Sequence, residues 1–463
     1  MTDLAANSGP ELPPAQTNLL RRIVVNGGVI MGGFGASQIL RLVSNLILTR
    51  LLAPEAFGLM SVAISINIWA IMLTDIGVGA SLIRSNKSED PDFIRTAWTM
   101  AIMRNVLVWA IIAAAAGVLW LMKVNGVVKT ESIFANPSLP LLMIAIGVQL
   151  PIDGLSSMNA LMAQRRLAMK RVVALEIARQ IVAMLITIAL AWAGLGVWAL
   201  VIGTVMGAVF GSSVSHVIFP GPRMGIRLVR EHFDEIFHFG KWLIVASFFG
   251  FILNRGDQLI FGWAMPKDGF SLYAIASIWI AAATSVIQTV VGRIFFPAFS
   301  EVIRTEPQSL PNIYRKVRLP LDLFVIATAF GAFFFAEPVF AIIYPDNYAG
   351  VGHYVRLLAP ALLFLPYRLI NTAALASGDS KGFTWVTVIG GIAMLVLTPL
   401  AFRFLNQTAA ILVYACIAVF SLPSIWRIGR RVMKLDPILE GRLVAAAVLL
   451  VVMLAIISKP DGA

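Results

Sequence analysis

Arg41 stands in an apolar stretch with Ser37 four residues before it and Asn45 four after it. That spacing puts all three side chains on one face of a helix. Six more arginines fall inside apolar stretches: Arg104, Arg179, Arg255, Arg293, Arg356 and Arg368. Carboxylates and amides accompany them, among them Asp75, Asp153, Glu176, Gln180, Asn254, Asp257 and Gln258. An ionised group at membrane depth is costly and normally faces a cavity or a partner. The guanidinium fork donates hydrogen bonds in pairs and suits phosphate. Carboxylate and amide oxygens suit a small cation. Simpler roles compete with these. Glu176 and Arg179, three residues apart, can neutralise each other on one helix, and Arg293 or Arg368 can snorkel to an interface. Taken together, the set points to a water-filled, arginine-lined cavity suited to an anionic, polar substrate.

The elements that must position these groups are membrane spans. Of 463 residues, 59% are hydrophobic and 13% charged, against about 45–50% and about 25% in soluble domains. Mean hydropathy is +0.85. A span needs about 20 mostly apolar residues. The pattern predicts spans near 25–49, 57–83, 96–122, 138–160, 172–193, 196–219, 239–264, 270–297, 319–343, 351–375, 383–402 and 408–426, with a shorter thirteenth run at 443–458.

Net charge is +12, but the basic residues sit mainly in short loops, so the charge belongs to topology and nucleic acid is not an expected partner. With the N-terminus inside, inward loops hold 23 Lys and Arg and outward loops 6, the bias of the positive-inside rule. The first 18 residues lack a signal-peptide pattern. Cys416 is the only cysteine, which excludes an internal disulfide, and the four histidines do not cluster at metal spacing. The chain also repeats itself. Pro54-Glu55-Ala56-Phe57-Gly58-Leu59 returns, with one insertion, as Pro266-Lys267-Asp268-Gly269-Phe270-Ser271-Leu272. Six spans separate the copies, so the repeat is parallel. The expected fold is an all-α polytopic membrane protein. Two six-helix lobes, in a parallel pseudo-twofold repeat, surround a central cavity, with one or two extra C-terminal helices. The expected divisions are a disordered cytoplasmic tail at 1–22, an N-lobe at 23–219, a linker at 220–238, a C-lobe at 239–426 and a basic loop with an extra helix at 427–463.

Leu42 to Leu59, including Thr49-Arg50-Leu51-Leu52-Ala53-Pro54, and Asp75-Ile76-Gly77-Val78-Gly79-Ala80 resemble the first-hairpin signature of Wzx-type polysaccharide flippases. Asn254-Arg255-Gly256-Asp257-Gln258, Leu272-Tyr273-Ala274 and Phe296-Pro297-Ala298-Phe299 resemble its second-lobe counterpart. The resemblance covers nearly the whole chain. It implies the superfamily of multidrug-exporting MATE proteins and the lipid II flippase, with 12 or 14 helices in two lobes. It further implies that undecaprenyl-diphosphate-linked oligosaccharides move from the inner to the outer leaflet, for exopolysaccharide, O-antigen or capsule synthesis. On this reading Arg41, Asn45, Arg104, Arg255 and Arg356 contact the substrate, and Asp257, Asn254, Asp75 and Glu176 are candidates for coupling to Na⁺ or H⁺. No other cofactor is expected. The chain is expected as a monomer in the bacterial cytoplasmic membrane, surrounded by membrane lipids, with a polysaccharide polymerase and a chain-length regulator as partners.

Three rival readings remain open on the sequence. A drug/cation antiporter of the same fold would favour a cavity richer in acids than bases. A membrane glycosyltransferase would use Asp90-Pro91-Asp92 as a metal motif, but that loop is placed inside, and no outward loop is large enough for a polymerase or ligase. A scaffold would not explain the charges within the spans. No nucleotide-binding Gly-x-x-x-x-Gly-Lys-Ser/Thr run occurs, so energy is expected from ion or substrate gradients.

Overall fold

The computed structural model describes residues 14–74, 78, 82, 90–165, 169–234, 243–433, 435 and 437–457. Helices account for nearly all of them. α1 runs Pro14–Leu48, α2 Pro54–Leu73 and α3 Pro91–Val124. α4 is a broken helix, Leu139–Gly154, interrupted at Val148. α5 (Asn159–Arg165), α6 (Met169–Trp192) and α7 (Val197–Ile218) complete the N-terminal half. The C-terminal half begins with α8 (Leu243–Ala264) and α9 (Lys267–Val290). A turn of π-helix at Val291–Phe295 carries α9 into α10 (Phe296–Thr305). α11 (Leu310–Ile343), α12 (Val351–Leu358), α13 (Arg368–Ala376) and α14 (Ser380–Phe404) follow. α15 (Gln407–Ala415), α16 (Leu422–Met433) and α17 (Pro437–Ile457) end the chain.

Among the described residues, eight helices are long and apolar enough to cross a membrane, or nine if the pair bent by 43° at Cys416 counts as one. α1, α8 and α17 add helices of 35, 22 and 21 residues, and α4 is broken at Val148. The predicted span at 270–297 continues as helix to Thr305. α1 starts at Pro14, so residues 14–22, expected as disordered tail, are helical. The run at 443–458 lies within α17, a helix of 21 residues, about 30 Å at 1.5 Å per residue.

Local chemistry explains the boundaries. Pro54 and Pro91 occupy first helical positions, where a missing N–H costs nothing. Asp90 caps α3 by accepting from Asp92 N at 2.9 Å. Asn406 does the same for α15, accepting from Ala409 N at 2.8 Å. The turn between α6 and α7 uses Gly194 and Gly196 at φ 84° and 57°, backbone that other residues adopt poorly. α7 then lies on α6 through Gly203, Gly207 and Gly211. A Cβ on Gly203 would meet the Ala183 carbonyl oxygen at 2.9 Å. Small residues every fourth position let membrane helices approach closely, where dispersion and polar contacts replace the hydrophobic effect.

Within each half, successive helices pack on one another: α6 on α7 and on α1, α3 on α4, α11 on α12, α14 on α15. Between the halves, α2 packs on both α8 and α9, and α1 on α9. α17 lies against α11 and the Ala359–Tyr367 segment. We call the two ends of the bundle the Pro54 end, where α1 ends and α2 begins, and the Pro91 end, where α3 begins.

Candidate functional site

The boundary between the halves carries a ladder of polar side chains. Nearest the Pro54 end, Tyr348 donates from its hydroxyl to the Leu52 carbonyl, with its ring edge-on to Phe57. Ser132 Oγ donates to the Gly262 carbonyl at 2.7 Å, and the Lys267 amide donates to the Glu131 carbonyl at 2.8 Å. Tyr344 donates to Asn45 Oδ1 at 2.6 Å while accepting from Trp279 Nε1 at 2.8 Å. Asn45 is thus buried and already engaged. One turn deeper, Ser61 on α2 donates to Gln258 Oε1 at 2.6 Å. The Gln258 amide donates to Asp257 Oδ2 at 2.7 Å, and Tyr273 donates to the same oxygen at 2.6 Å. Deeper again, Gln38 Nε2 on α1 donates to Ser285 Oγ on α9 at 2.6 Å.

Arg41 and Arg255 sit within this boundary, on α1 and α8. Counting from the helix ends at 1.5 Å per residue, they lie about 10 and about 13 Å from the Pro54 end. The charge of Arg255 acts on Arg41 across the halves. Arg41 is exposed and Arg255 half-buried, and among the described residues neither has a carboxylate within ion-pair distance. Two like charges that act on each other, with no carboxylate within ion-pair distance among the described residues, form a site that an anion would stabilise.

Arg104, Arg179, Arg356 and Arg368 have other partners, and the Arg293 side chain lies outside the described residues. Arg104 Nε and Nη2 donate to the carbonyls of Thr74 and Ile71, each at 2.9 Å. It therefore caps the C-terminal end of α2, where cations complement the exposed carbonyls. Arg356 pairs with Glu337 at 3.0 Å and lies over the Phe333 ring at 4.8 Å, near the Pro54 end. Arg104 is thus engaged with the end of α2, and Arg356 with Glu337 and Phe333 on α11. Arg179 pairs with Asp153 on α4 at 2.8 Å, not with Glu176, which is exposed. With the Gln288 amide turned to satisfy both partners, its oxygen lies 3.0 Å from Arg368 Nη2 and 3.3 Å from Nη1.

Among the coupling candidates, Asp257 is 3% exposed and held by Tyr273 and Gln258. Asp75 and the Asn254 side chain lie outside the described residues.

A cluster that spacing alone did not reveal lies between α11 and α17. Arg318, Asp322 and Glu440 are all about 5% exposed or less. Arg318 Nε is 2.8 Å from Asp322 Oδ1, and Nη2 is 3.0 Å from Glu440 Oε2. Tyr314 donates to Glu440 Oε1 at 2.8 Å, and Arg318 lies over the Tyr367 ring at 4.6 Å. The Arg318–Asp322 spacing of four was the one available signal, but it reads equally as an exposed loop-end pair. The cluster ties the last helix to the C-terminal half.

Three comparisons with known proteins bear on this arrangement. The chain is 21% identical over 405 residues to the succinoglycan biosynthesis transport protein ExoT of Rhizobium meliloti (strain 1021), covering 80% of this chain and 78% of that one. Its fold matches that of the lipid II flippase MurJ in an inward closed conformation, with TM-score 0.71, 10% identity and 94% of each chain covered. It also matches an inward-facing multidrug resistance MATE family transporter of the MOP superfamily, with TM-score 0.64, 13% identity, and 86% of this chain and 95% of that one covered. The model of the polysaccharide biosynthesis protein family matches residues 47–352, about two-thirds of the length. The chain is a multi-pass membrane protein with the fold of the flippase and MATE transporter structures, and it belongs to the polysaccharide biosynthesis protein family.

Proposed function

We propose that this protein flips polyprenyl-diphosphate-linked oligosaccharides from the inner to the outer leaflet of a bacterial cytoplasmic membrane by alternating access. The observation that carries the reading is the Arg41–Arg255 pair, one guanidinium from each half, with no carboxylate within ion-pair distance of either among the described residues. A diphosphate presents enough negative charge and enough oxygens to engage both forks at once. The sugar-diphosphate head cannot cross hydrocarbon unaided, whereas the polyprenyl tail can remain in lipid. A site between two halves that part alternately at either end lowers the barrier for the head alone.

The basic loops cluster at the Pro91 end, which the positive-inside rule assigns to the cytoplasm, together with the N-terminus. The Pro54 end then faces outward, where the hydrogen bonds between the halves hold it shut. In this reading the N-lobe is 23–219, the C-lobe 239–426 and the linker 220–238, and the protein acts as a monomer. Asp257 is the coupling carboxylate for Na⁺ or H⁺, because it is buried beside Arg255 and bonded to the rungs that join the lobes. Similarity to a succinoglycan transport protein supports an exopolysaccharide precursor as cargo. The positive site weighs against the rival cargo, a cationic drug.

A deletion strain tests the reading. Lipid-linked repeat units should accumulate on the inner leaflet and be cleared by complementation. Unchanged pools of lipid-linked sugar would reject it.

A further inference from the structure

On one flank of the boundary, at the Pro54 end, lies a second feature distinct from the arginine pair. α2 and α3 from one half and α8 and α14 from the other enclose an apolar groove of about 760 Å³. Trp69, Val118, Trp263 and Phe402 form its walls. On α2 the groove is lined by Ile66 and Trp69, about 18 and about 23 Å from Pro54 at 1.5 Å per residue, a depth within the bilayer. Two cations line its mouth: Lys129, from the loop after α3, and Arg403, in the last turn of α14. Both are exposed. Arg403 lies 5.6 Å over the Phe404 ring, and among the described residues neither cation has an ion-pair partner.

An apolar groove in hydrocarbon is filled by a hydrocarbon chain, and the mouth decides which lipid stays. A single cation suits the monoanionic phosphate of an ordinary phospholipid. Two cations, one from each half, suit a diphosphate, whose oxygens reach both. Because the walls come from both halves, the groove exists only while the halves hold this arrangement. A lipid bound there therefore favours this arrangement over one in which the walls have separated.

We infer that the groove is a docking site for the translocated polyprenyl-diphosphate lipid, with the tail against Trp69 and Trp263 and the diphosphate between Lys129 and Arg403. The inference rests on the proposed function and adds to it an exit site separate from Arg41 and Arg255. Release of product from the central site into this groove keeps the tail in lipid and the head at the outer surface throughout.

The full-length protein in nanodiscs, exposed to a diazirine-bearing undecaprenyl diphosphate, provides the test. Crosslinks should map to peptides containing Val118, Trp263 and Phe402. Lys129→Ala/Arg403→Ala should lower capture at least tenfold, Lys129→Arg/Arg403→Lys should retain it, and Val118→Trp should block it by filling the groove. Phosphatidylglycerol at equal concentration should not compete. Competition by phosphatidylglycerol would make the groove a general lipid site, and undiminished capture by the alanine pair would remove the diphosphate contact; either result overturns the inference. If the deletion strain accumulates lipid-linked sugars while the groove variants capture normally, only the groove falls. If wild-type protein captures no diphosphate and the pools are unchanged, the transport reading falls with it.

Discussion

Gly58 lies against Ser271, and a Cβ at Gly58 would come within 3.2 Å of Ser271 Cα and 2.6 Å of its Oγ. The two residues hold equivalent places in the copies of the internal repeat, at the offset that aligns Leu59 with Leu272. In a twofold arrangement, equivalent residues meet each other only on the axis. The helix contacts follow the same rule: α2 packs on α9, its counterpart, while α2 on α8 is matched by α1 on α9. The Gly58–Ser271 contact therefore marks where a pseudo-twofold axis would pass between the halves.

A large side chain at that axis should force the halves apart. Gly58→Leu should destabilise the protein by about 1–3 kcal/mol, the usual cost of overpacking, seen as a lower thermal midpoint in detergent. Gly117→Leu, where nothing lies within 4 Å, should stay within about 0.5 kcal/mol of the wild type. Equal behaviour of the two variants would mean that the axis contact carries no packing.

The hydrogen bond from the Lys267 amide to the Glu131 carbonyl places these two backbones side by side at the Pro54 end. With Cys416 replaced by alanine, a Glu131→Cys/Lys267→Cys protein should form a disulfide on oxidation. Export should stop when the bond forms and resume when it is reduced. Export that continues with the bond intact would show that this end does not open.

Arg318 is buried between two carboxylates, so removing it strands both. Arg318→Met should cost about 3–5 kcal/mol. Adding Asp322→Leu and Glu440→Leu should recover most of that loss, because an apolar replacement of a whole buried ion cluster is often neutral. Thermal unfolding of the single and triple variants measures both. A triple variant weaker than the single one would contradict the assignment.

Asp257 Oδ2 accepts from both Tyr273 and Gln258. Asn at this position still offers one oxygen to those donors but carries no charge. Asp257→Asn should keep the thermal midpoint while removing the dependence of transport on the ion gradient. Asp257→Leu, which leaves the Tyr273 hydroxyl unpaired, should cost about 1–3 kcal/mol as well. Gradient-dependent transport by the asparagine variant would exclude Asp257 as the coupling group.

The all-helical membrane fold was legible because lipid requires long apolar helices, and composition alone reports that. The repeat was legible because Pro54 and Pro266 punctuate equivalent turns. Arg41 and Arg255 could be singled out because ionised groups at membrane depth stand out against apolar sequence. Their neighbours could not be ranked from sequence, since a capping arginine such as Arg104 and a paired one such as Arg356 have the same composition around them as a free one. What distinguishes them is a carbonyl or carboxylate brought in from another helix. For the same reason Arg179 could not be matched to Asp153, or Arg318 to Glu440, more than a hundred residues away.

The central claim is that the guanidiniums of Arg41 and Arg255 together hold the diphosphate. Its most direct measurement is flipping of a fluorescent polyprenyl-diphosphate sugar in proteoliposomes by Arg41→Ala, Arg255→Ala and the double variant, each verified as folded. Each single variant should lose at least tenfold in rate, and the double variant should lose little more, because half a fork pair no longer engages both phosphates. Rates within twofold of the wild type in both single variants would contradict the account.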